Sequence, residues 1–391
     1  MKIVCSAAVA AGLLAAAPAY ARDKADDVAV KFCPVEQVRT YPLESQRNVQ
    51  SLMLQNVLVS YAGSAPVEIV SVNVELMAGG EVKDTRRIAG AELKALSASG
   101  PRVQASGAMD MMPFQFCSGA LIPAGAKLAG PTLNQGEALL LMQQPFAYKG
   151  VRDTVRVRIH AMRGGKEIEA NASLPINSGM SKTEFRFPMK GQWFSAVGPT
   201  PHTAHRWALP EEFAFDIVRL GDGTRSYRGA GTAFEDFYAY GADILAAADG
   251  KVVAVKSDVA EDPSTLRQPG EAFEAYAERV GAYQMQLVAS DMSAIAGNHI
   301  VIDHGNGEFS MYAHLKPGSL TVKVGDVVKA GQLIGKLGSS GNSSEPHLHF
   351  QVCDRPEPLA CTGIPVNFTD IELPYADYTR ALQSGDIVIA K

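Results

Sequence analysis

Two runs of strict alternation constrain this chain before anything else does. Val70, Val72, Val74 and Leu76 alternate with Ser71, Asn73 and Glu75, and Val155, Val157 and Ile159 alternate with Arg156, Arg158 and His160. Successive side chains of an extended strand point to opposite faces, so these runs fit strands with one buried and one wet face and do not fit a helix. Leu52 to Tyr61 and Ala138 to Met142 read as further strands, Ala89 to Ser97 as one short helix, and Gly79-Gly80 and Gly164-Gly165 as hairpin turns. The expectation for residues 28–175 is an antiparallel β-sandwich of immunoglobulin-like type. His160 falls at an alternating polar position and reads as solvent-facing.

A chain of 391 residues exceeds what one core usually serves, so a second domain is expected. A formal charge of −5, with 20% charged and 47% hydrophobic residues, describes an ordinary globular protein and gives no basic excess for nucleic acid. Lys2, the Ala-rich run behind it and Ala19-Tyr20-Ala21 have the form of an export signal over residues 1–21, with the mature protein beginning near Arg22. The expected location is the periplasm or the extracellular space, with no stable membrane insertion after cleavage. Cys5 leaves with that segment, and export favours disulfides among Cys33, Cys117, Cys353 and Cys361. Two of these lie in the first half and two lie close together, which favours Cys33 with Cys117 and Cys353 with Cys361. No C-x-x-C spacing supports a cysteine zinc site.

Residues 176–189 read as a linker, 190–372 as the second domain with an insertion over 257–296, and 373–391 as a C-terminal tail. Lys251 to Val255, His299 to Asp303, Ser310 to Leu315 and Thr321 to Val324 read as strands, and Glu271 to Val288 as a helix or helical loop at one end of the sheet. Seven of the eight histidines lie beyond residue 200. Imidazole is the side chain that ligates metals and moves protons near neutral pH, so the second domain is where chemistry is expected.

A hydrolytic metal site needs three protein ligands and one open position, with groups nearby to move protons. Candidates come in three clusters: His202, His205 and Asp216; then His314; then His347 and His349, one residue apart behind the Gly/Ser run 338–344. In a strand, His347 and His349 share a face. The stretches Phe213-Ala214-Phe215-Asp216-Ile217, Tyr312-Ala313-His314-Leu315 and Pro346-His347-Leu348-His349-Phe350 stand in the order found in the lysostaphin-type zinc metallopeptidases, which residues 190–370 resemble. Val324-Gly325-Asp326-Val327-Val328 and Gly331-Gln332-Leu333-Ile334-Gly335 resemble that family's connecting hairpin.

The resemblance implies an antiparallel β-sheet metallopeptidase domain holding one Zn2+ through His205, Asp216 and His349, with His314 and His347 as catalytic residues. One departure leaves the first ligand open. The family's common form places its histidine much closer to the aspartate than the spacing of eleven positions from His205 to Asp216 here, so residues 207–212 must loop out, and His202 is the alternative to the preferred His205. The implied function is an endopeptidase that cuts peptide cross-links of bacterial peptidoglycan, its partners being the peptide stems. A catalytically inactive wall-binding or amidase-activating module of the same fold is the competing expectation. His299 and His304 read as structural, Trp193 as core or cleft wall, and residues 338–344 as a mobile cleft rim. The hairpin at 322–332 lacks the Met-Lys-Met of a lipoyl or biotinyl carrier.

Overall fold

The computed structural model describes residues 27–34, 36–376 and 380–391, and the expected export signal and Cys5 lie outside them. The alternating runs are strands. Val67–Ala78 and Thr154–Arg163 pair along most of their length, flanked by Glu81–Ala89 and Lys166–Asn177. A second group, Val28–Cys33, Val38–Glu44, Val49–Tyr61 and Glu137–Lys149, is also antiparallel. The groups join where Ile176 and Asn177 run parallel to Val38 and Arg39. Val72, Val74, Val157 and Ile159 from one group and Val57, Val59, Leu139 and Leu141 from the other share one apolar core, an arrangement compatible with the expected sandwich. His160 faces outward and pairs with Glu169 at 2.8 Å.

The run at Ala138–Met142 is apolar without alternation because both of its faces are covered. Leu139 and Leu141 point into the shared core, while Leu140 and Leu58 point the other way, against Met109, Phe116, Leu121 and Leu128. Those last residues belong largely to a string of short helices beginning with Gly90–Ser97 and Ser99–Ala105 and continuing in single turns to Leu121. Only the first was legible in the sequence. Cys33 and Cys117 pair across this layer, their Cα atoms 6.2 Å apart.

The second half is built on a nine-stranded sheet, antiparallel throughout, with a separate two-stranded pair of Asp243–Leu245 and Leu333–Lys336. Its order is Val327–Val328, Gly250–Lys256, Asn298–Asp303, Phe309–Leu315, Leu348–Cys353, Phe215–Val218, Gly191–Val197, Ile387–Ala390 and Ile371–Glu372. Phe215, Ile217, Ile300, Ile302, Leu348, Phe350 and Val352 line one face and bury a single core. Residues at the intervening positions of the central strands face the opposite way. The expected insertion contains an 18-residue helix, Phe273–Ser290. The described Cys353 pairs with Cys361, as expected.

Three expectations fail for tertiary reasons. Phe185, Phe187 and Met189, within the expected linker 176–189, are buried in the second core. In the expected tail 373–391, Ile387–Ala390 is a strand paired with Gly191–Val197, and Leu382 and Val388 are buried. Thr321 to Val324 forms no strand; Thr321 instead donates its backbone N–H to Ile334 across a loop.

Candidate metal centre

Register builds the site. Asp216, His349 and Ala313 are direct partners across three neighbouring strands, and all three lie on the face turned away from the core. Phe215 and Ile217 on either side of Asp216, and Leu348 and Phe350 on either side of His349, point into that core. Burial of those flanking residues therefore fixes which way the polar ones look. His347, two residues before His349, arrives on the same side.

His314 reaches that face by a different device. Regular alternation after Tyr312 would put His314 on the core face, where Tyr312 is fully buried with its hydroxyl accepting from the Ala247 N–H at 2.7 Å. The pairing shifts instead: Asn298 faces Leu315 and Ile300 faces Tyr312, so His299 alone opposes both Ala313 and His314. This is a β-bulge, and His314 occupies its left-handed conformation with φ of +61°. Such a conformation costs a non-glycine residue on the order of 1–3 kcal/mol, and it persists because Tyr312 and Leu315 are both anchored in the core on either side.

His205 comes from outside the sheet, in the short turn Ala204–Trp207. The excursion from it to Asp216 is held by an internal charge pair, Arg206 with Glu212 at 3.3 Å, both almost wholly inaccessible. The Arg206 guanidinium lies 5.0 Å from the Phe213 ring centroid, and Phe213 stacks on Tyr41 of the first half. Gln55, also in the first half, donates its Nε2–H to the Arg206 carbonyl at 2.7 Å. The first domain thus grips the backbone beside His205. His202 is exposed and joins none of this.

His205, Asp216 and His349 present one ligand atom each, all within 4.8 Å of one another. Two imidazoles and a carboxylate are a donor set suited to a divalent transition metal. The carboxylate lies 3.3 Å from His205 Nε2, 3.0 Å from His349 Nδ1 and 3.5 Å from His347 Nε2. The burial of Asp216 works to raise its pKa, but His205 and His347 overcome this and hold the carboxyl well below its usual range. His205 answers in the other direction: burial pulls it down, yet Asp216 outweighs burial and leaves it raised to about 9. Positive charge is strongly favoured at this spot.

His314 and His347 stand beside the triad, their rings 4.6 Å apart. Each commits Nδ1–H to a backbone carbonyl, His314 to Ser340 at 2.8 Å and His347 to Glu345 at 2.7 Å, which leaves Nε2 as the second ring nitrogen of each, that of His347 facing Asp216. Their environments push them apart. Burial, reinforced by His347 and His349, drives His314 well below the usual imidazole value, whereas Asp216 overcomes burial and raises His347.

The expected mobile rim 338–344 is pinned. Ser339 donates its N–H to Glu261 at 2.7 Å, Asn342 donates to the Ile295 carbonyl at 2.9 Å, and Ser339, Ser340 and Ser343 are buried. His299 and His304 bond to carbonyls of Gly297 and Asp249 and take no part in the cluster. Trp193 is buried, with Arg219 over its ring at 5.2 Å. Two contributions escaped the sequence reading. Phe114 and Gln115 of the first half line the cleft of about 360 Å³ that contains the triad, as do Val280 and Gln284 of the Phe273–Ser290 helix. Gln351 bonds to His349 at 2.8 Å, and its place two residues on, on the same strand face, was the available signal.

Residues 231–361, which include His314, His347 and His349, match the model of peptidase family M23. The chain carries an M23 peptidase domain. Peptidoglycan DD-endopeptidase ShyA of Vibrio cholerae is 40% identical over 81 residues, 21% of this chain and 17% of its own length. Lysostaphin of Staphylococcus staphylolyticus is 52% identical over 56 residues, 14% of this chain and 11% of its own. The chain therefore spans about a sixth of the length of the first curated relatives it matches, 17% for ShyA. Among solved structures, the catalytic domain of the prophage-encoded M23 protein EnpA of Enterococcus faecalis aligns over 47% of this chain and 95% of its own, at 19% identity and a TM-score of 0.27. The M23 match begins after Asp216, so His205 and Asp216 rest on geometry alone.

Proposed function

We propose that the protein is an exported zinc-dependent endopeptidase that hydrolyses peptide cross-links of bacterial peptidoglycan. One observation carries this reading: His205, Asp216 and His349 converge within 4.8 Å beside two further imidazoles with opposed proton affinities. The M23 domain and the peptidoglycan endopeptidases among its relatives support the substrate class. The form of residues 1–21 supports export, and no helix among the described residues is long and apolar enough to cross a membrane.

In this mechanism His205, Asp216 and His349 would hold the metal. A zinc ion there supplies Lewis-acid activation of water and of the scissile carbonyl near neutral pH. His314, kept neutral by its surroundings, takes the proton of the attacking water at Nε2. His347, with Nδ1–H held by the Glu345 carbonyl, offers its Nε2–H as a hydrogen bond to the developing oxyanion and then passes that one proton to the leaving amine. The carbonyls of Ser340 and Glu345 keep both rings in the required tautomer. Burial of the cluster excludes bulk water and strengthens each of these interactions.

The inactive-module alternative makes the opposite demand. A wall-binding scaffold has no use for a strained His314 or for two imidazoles poised outside the ligand set. The test is direct: purified mature protein should contain about one zinc per chain by the three-ligand argument and release muropeptides from cross-linked peptidoglycan. His349→Ala should lose both. Protein purified without chelators that carries no metal and releases nothing refutes the reading.

A further inference from the structure

We infer that Gln351 is a positioning residue that sets the tautomer of His349 and that the disulfide-closed loop 353–361 holds Gln351 in its working orientation. The inference rests on the metal site proposed above and adds a residue and a covalent device to it.

Gln351 follows His349 by two residues on the Leu348–Cys353 strand, points to the same face and is 2% exposed. A buried primary amide must place its NH2 and its oxygen against different kinds of partner. On one side of Gln351 lie only acceptors: the Pro358 carbonyl at 3.1 Å from Nε2, and the sulfurs of Cys353 at 3.2 Å and Cys361 at 3.9 Å. Turning the amide over would press its oxygen against the Pro358 carbonyl, so NH2 faces the loop. Oε1 then faces His349 Nε2 at 2.8 Å and can only accept.

The consequence passes along the ring. With Nε2 carrying the hydrogen, neutral His349 has its lone pair on Nδ1, and Nδ1 lies 3.0 Å from Asp216 Oδ1. Two lone-pair atoms at that separation repel unless a cation or a proton lies between them. Gln351 therefore prepares a cation-seeking edge on His349 at the point where His205 also converges. Metal-bound histidines are commonly held this way by a hydrogen bond to their second nitrogen. Here the partner is itself held by a loop eight residues long in sequence separation, closed by Cys353–Cys361. Without that bond the Pro358 carbonyl is no longer fixed against Gln351, and the amide is free to turn over.

The experiment uses the full mature chain, with zinc alone as the probe in competition with a chromogenic chelator. Gln351→Leu removes the acceptor and should weaken zinc binding by about 10- to 100-fold, the range for lost outer-shell partners. Gln351→Glu keeps an acceptor toward Nε2 but sets its second oxygen against the Pro358 carbonyl, so it should lose less zinc affinity than Gln351→Leu without matching the wild type. The paired change Cys353→Ser with Cys361→Ser should weaken binding in the same direction, and adding Gln351→Leu to it should cost less than it does alone. Long-range 1H–15N spectra of the metal-free protein supply a second readout, with His349 protonated on Nε2 in the wild type and mixed between tautomers in Gln351→Leu. Equal zinc affinity in wild type and Gln351→Leu, or equal losses in the Leu and Glu variants, overturns the assignment. Wild-type protein that binds no zinc defeats the underlying metal reading instead, and the tautomer spectra still decide the role of Gln351.

Discussion

Gly297 offers the most demanding test of how the face that carries the histidine cluster is held. Its φ of 59° and ψ of −150° belong to a region essentially restricted to glycine. A Cβ added there would lie 2.3 Å from the Ser340 carbonyl oxygen and 2.6 Å from Ser340 Oγ, inside the 3.0 Å limit that real contacts respect. Ser340 must therefore retreat by at least about 0.7 Å, the difference between 2.3 and 3.0 Å. That carbonyl accepts the His314 Nδ1–H at 2.8 Å, while its hydroxyl accepts from the Asn298 N–H at 2.9 Å and donates to the Leu315 carbonyl at 2.8 Å. A retreat of this size stretches the His314 bond beyond hydrogen-bonding range. Backbone strain of about 1–3 kcal/mol and overpacking of a similar size add, so Gly297→Ala should lose roughly 2–6 kcal/mol. It should also lower kcat by about one to two orders of magnitude through the freed His314, while zinc content stays at the wild-type level. Urea unfolding, muropeptide release and metal analysis on the same preparation check all three. Gly281→Ala is the control, since it lies in the Phe273–Ser290 helix with nothing near its Cβ and should gain up to about 1 kcal/mol. Gly297→Ala with unchanged stability and unchanged kcat refutes the reasoning.

Three further outcomes follow from other parts of the molecule. Gln55→Ala leaves the buried Arg206 carbonyl without its partner, which should cost about 1–3 kcal/mol and weaken zinc binding through His205, as chelator competition will report. His304 is lowered by burial, so below pH 6.5 the unfolded chain binds a proton that the native state resists. Its contribution is intact above that pH and is lost as pH falls, so wild-type stability between pH 7.5 and 5.5 should drop more steeply than that of His304→Gln in thermal melts. Finally, Phe350→Ala empties a fully buried site behind the ligand strand and should cost about 3–5 kcal/mol by denaturant titration.

Much of this was legible in the sequence because alternation is local. The strands at Val70–Leu76 and Val155–Ile159 follow from period two, and so does the shared face of His347 and His349. The cysteine pairing followed from chain position alone. The misses share a cause, which is that they depend on partners distant in sequence. Simple alternation along Tyr312, Ala313 and His314 puts His314 in the core, and only its pairing with Asn298 to Ile300 reveals the bulge. The Ile387–Ala390 strand exists because Gly191–Val197 offers it an edge, and the Gly/Ser run is rigid because Glu261 and Ile295 bind its backbone. Gln55, Phe114 and Gln115 carry no signature of their own and gain a role only when the two halves meet.

The alignment of Asp216, His349 and Ala313 on one rung has a consequence for how such a molecule tolerates change. Chain length can vary in those parts of the 257–296 insertion and of the stretch 316–337 that touch neither the sheet nor the pinned rim, without moving any group along the rung. Within the strands, a single inserted or deleted residue reverses the face of everything beyond it. The His314 bulge is one such extra residue, retained because the reversed face is the one where an imidazole is useful. Length variation should therefore be tolerated in loops away from the pinned rim and close to forbidden inside three short strands, so that the reading frame of the sheet guards the site more strictly than the identity of most residues around it.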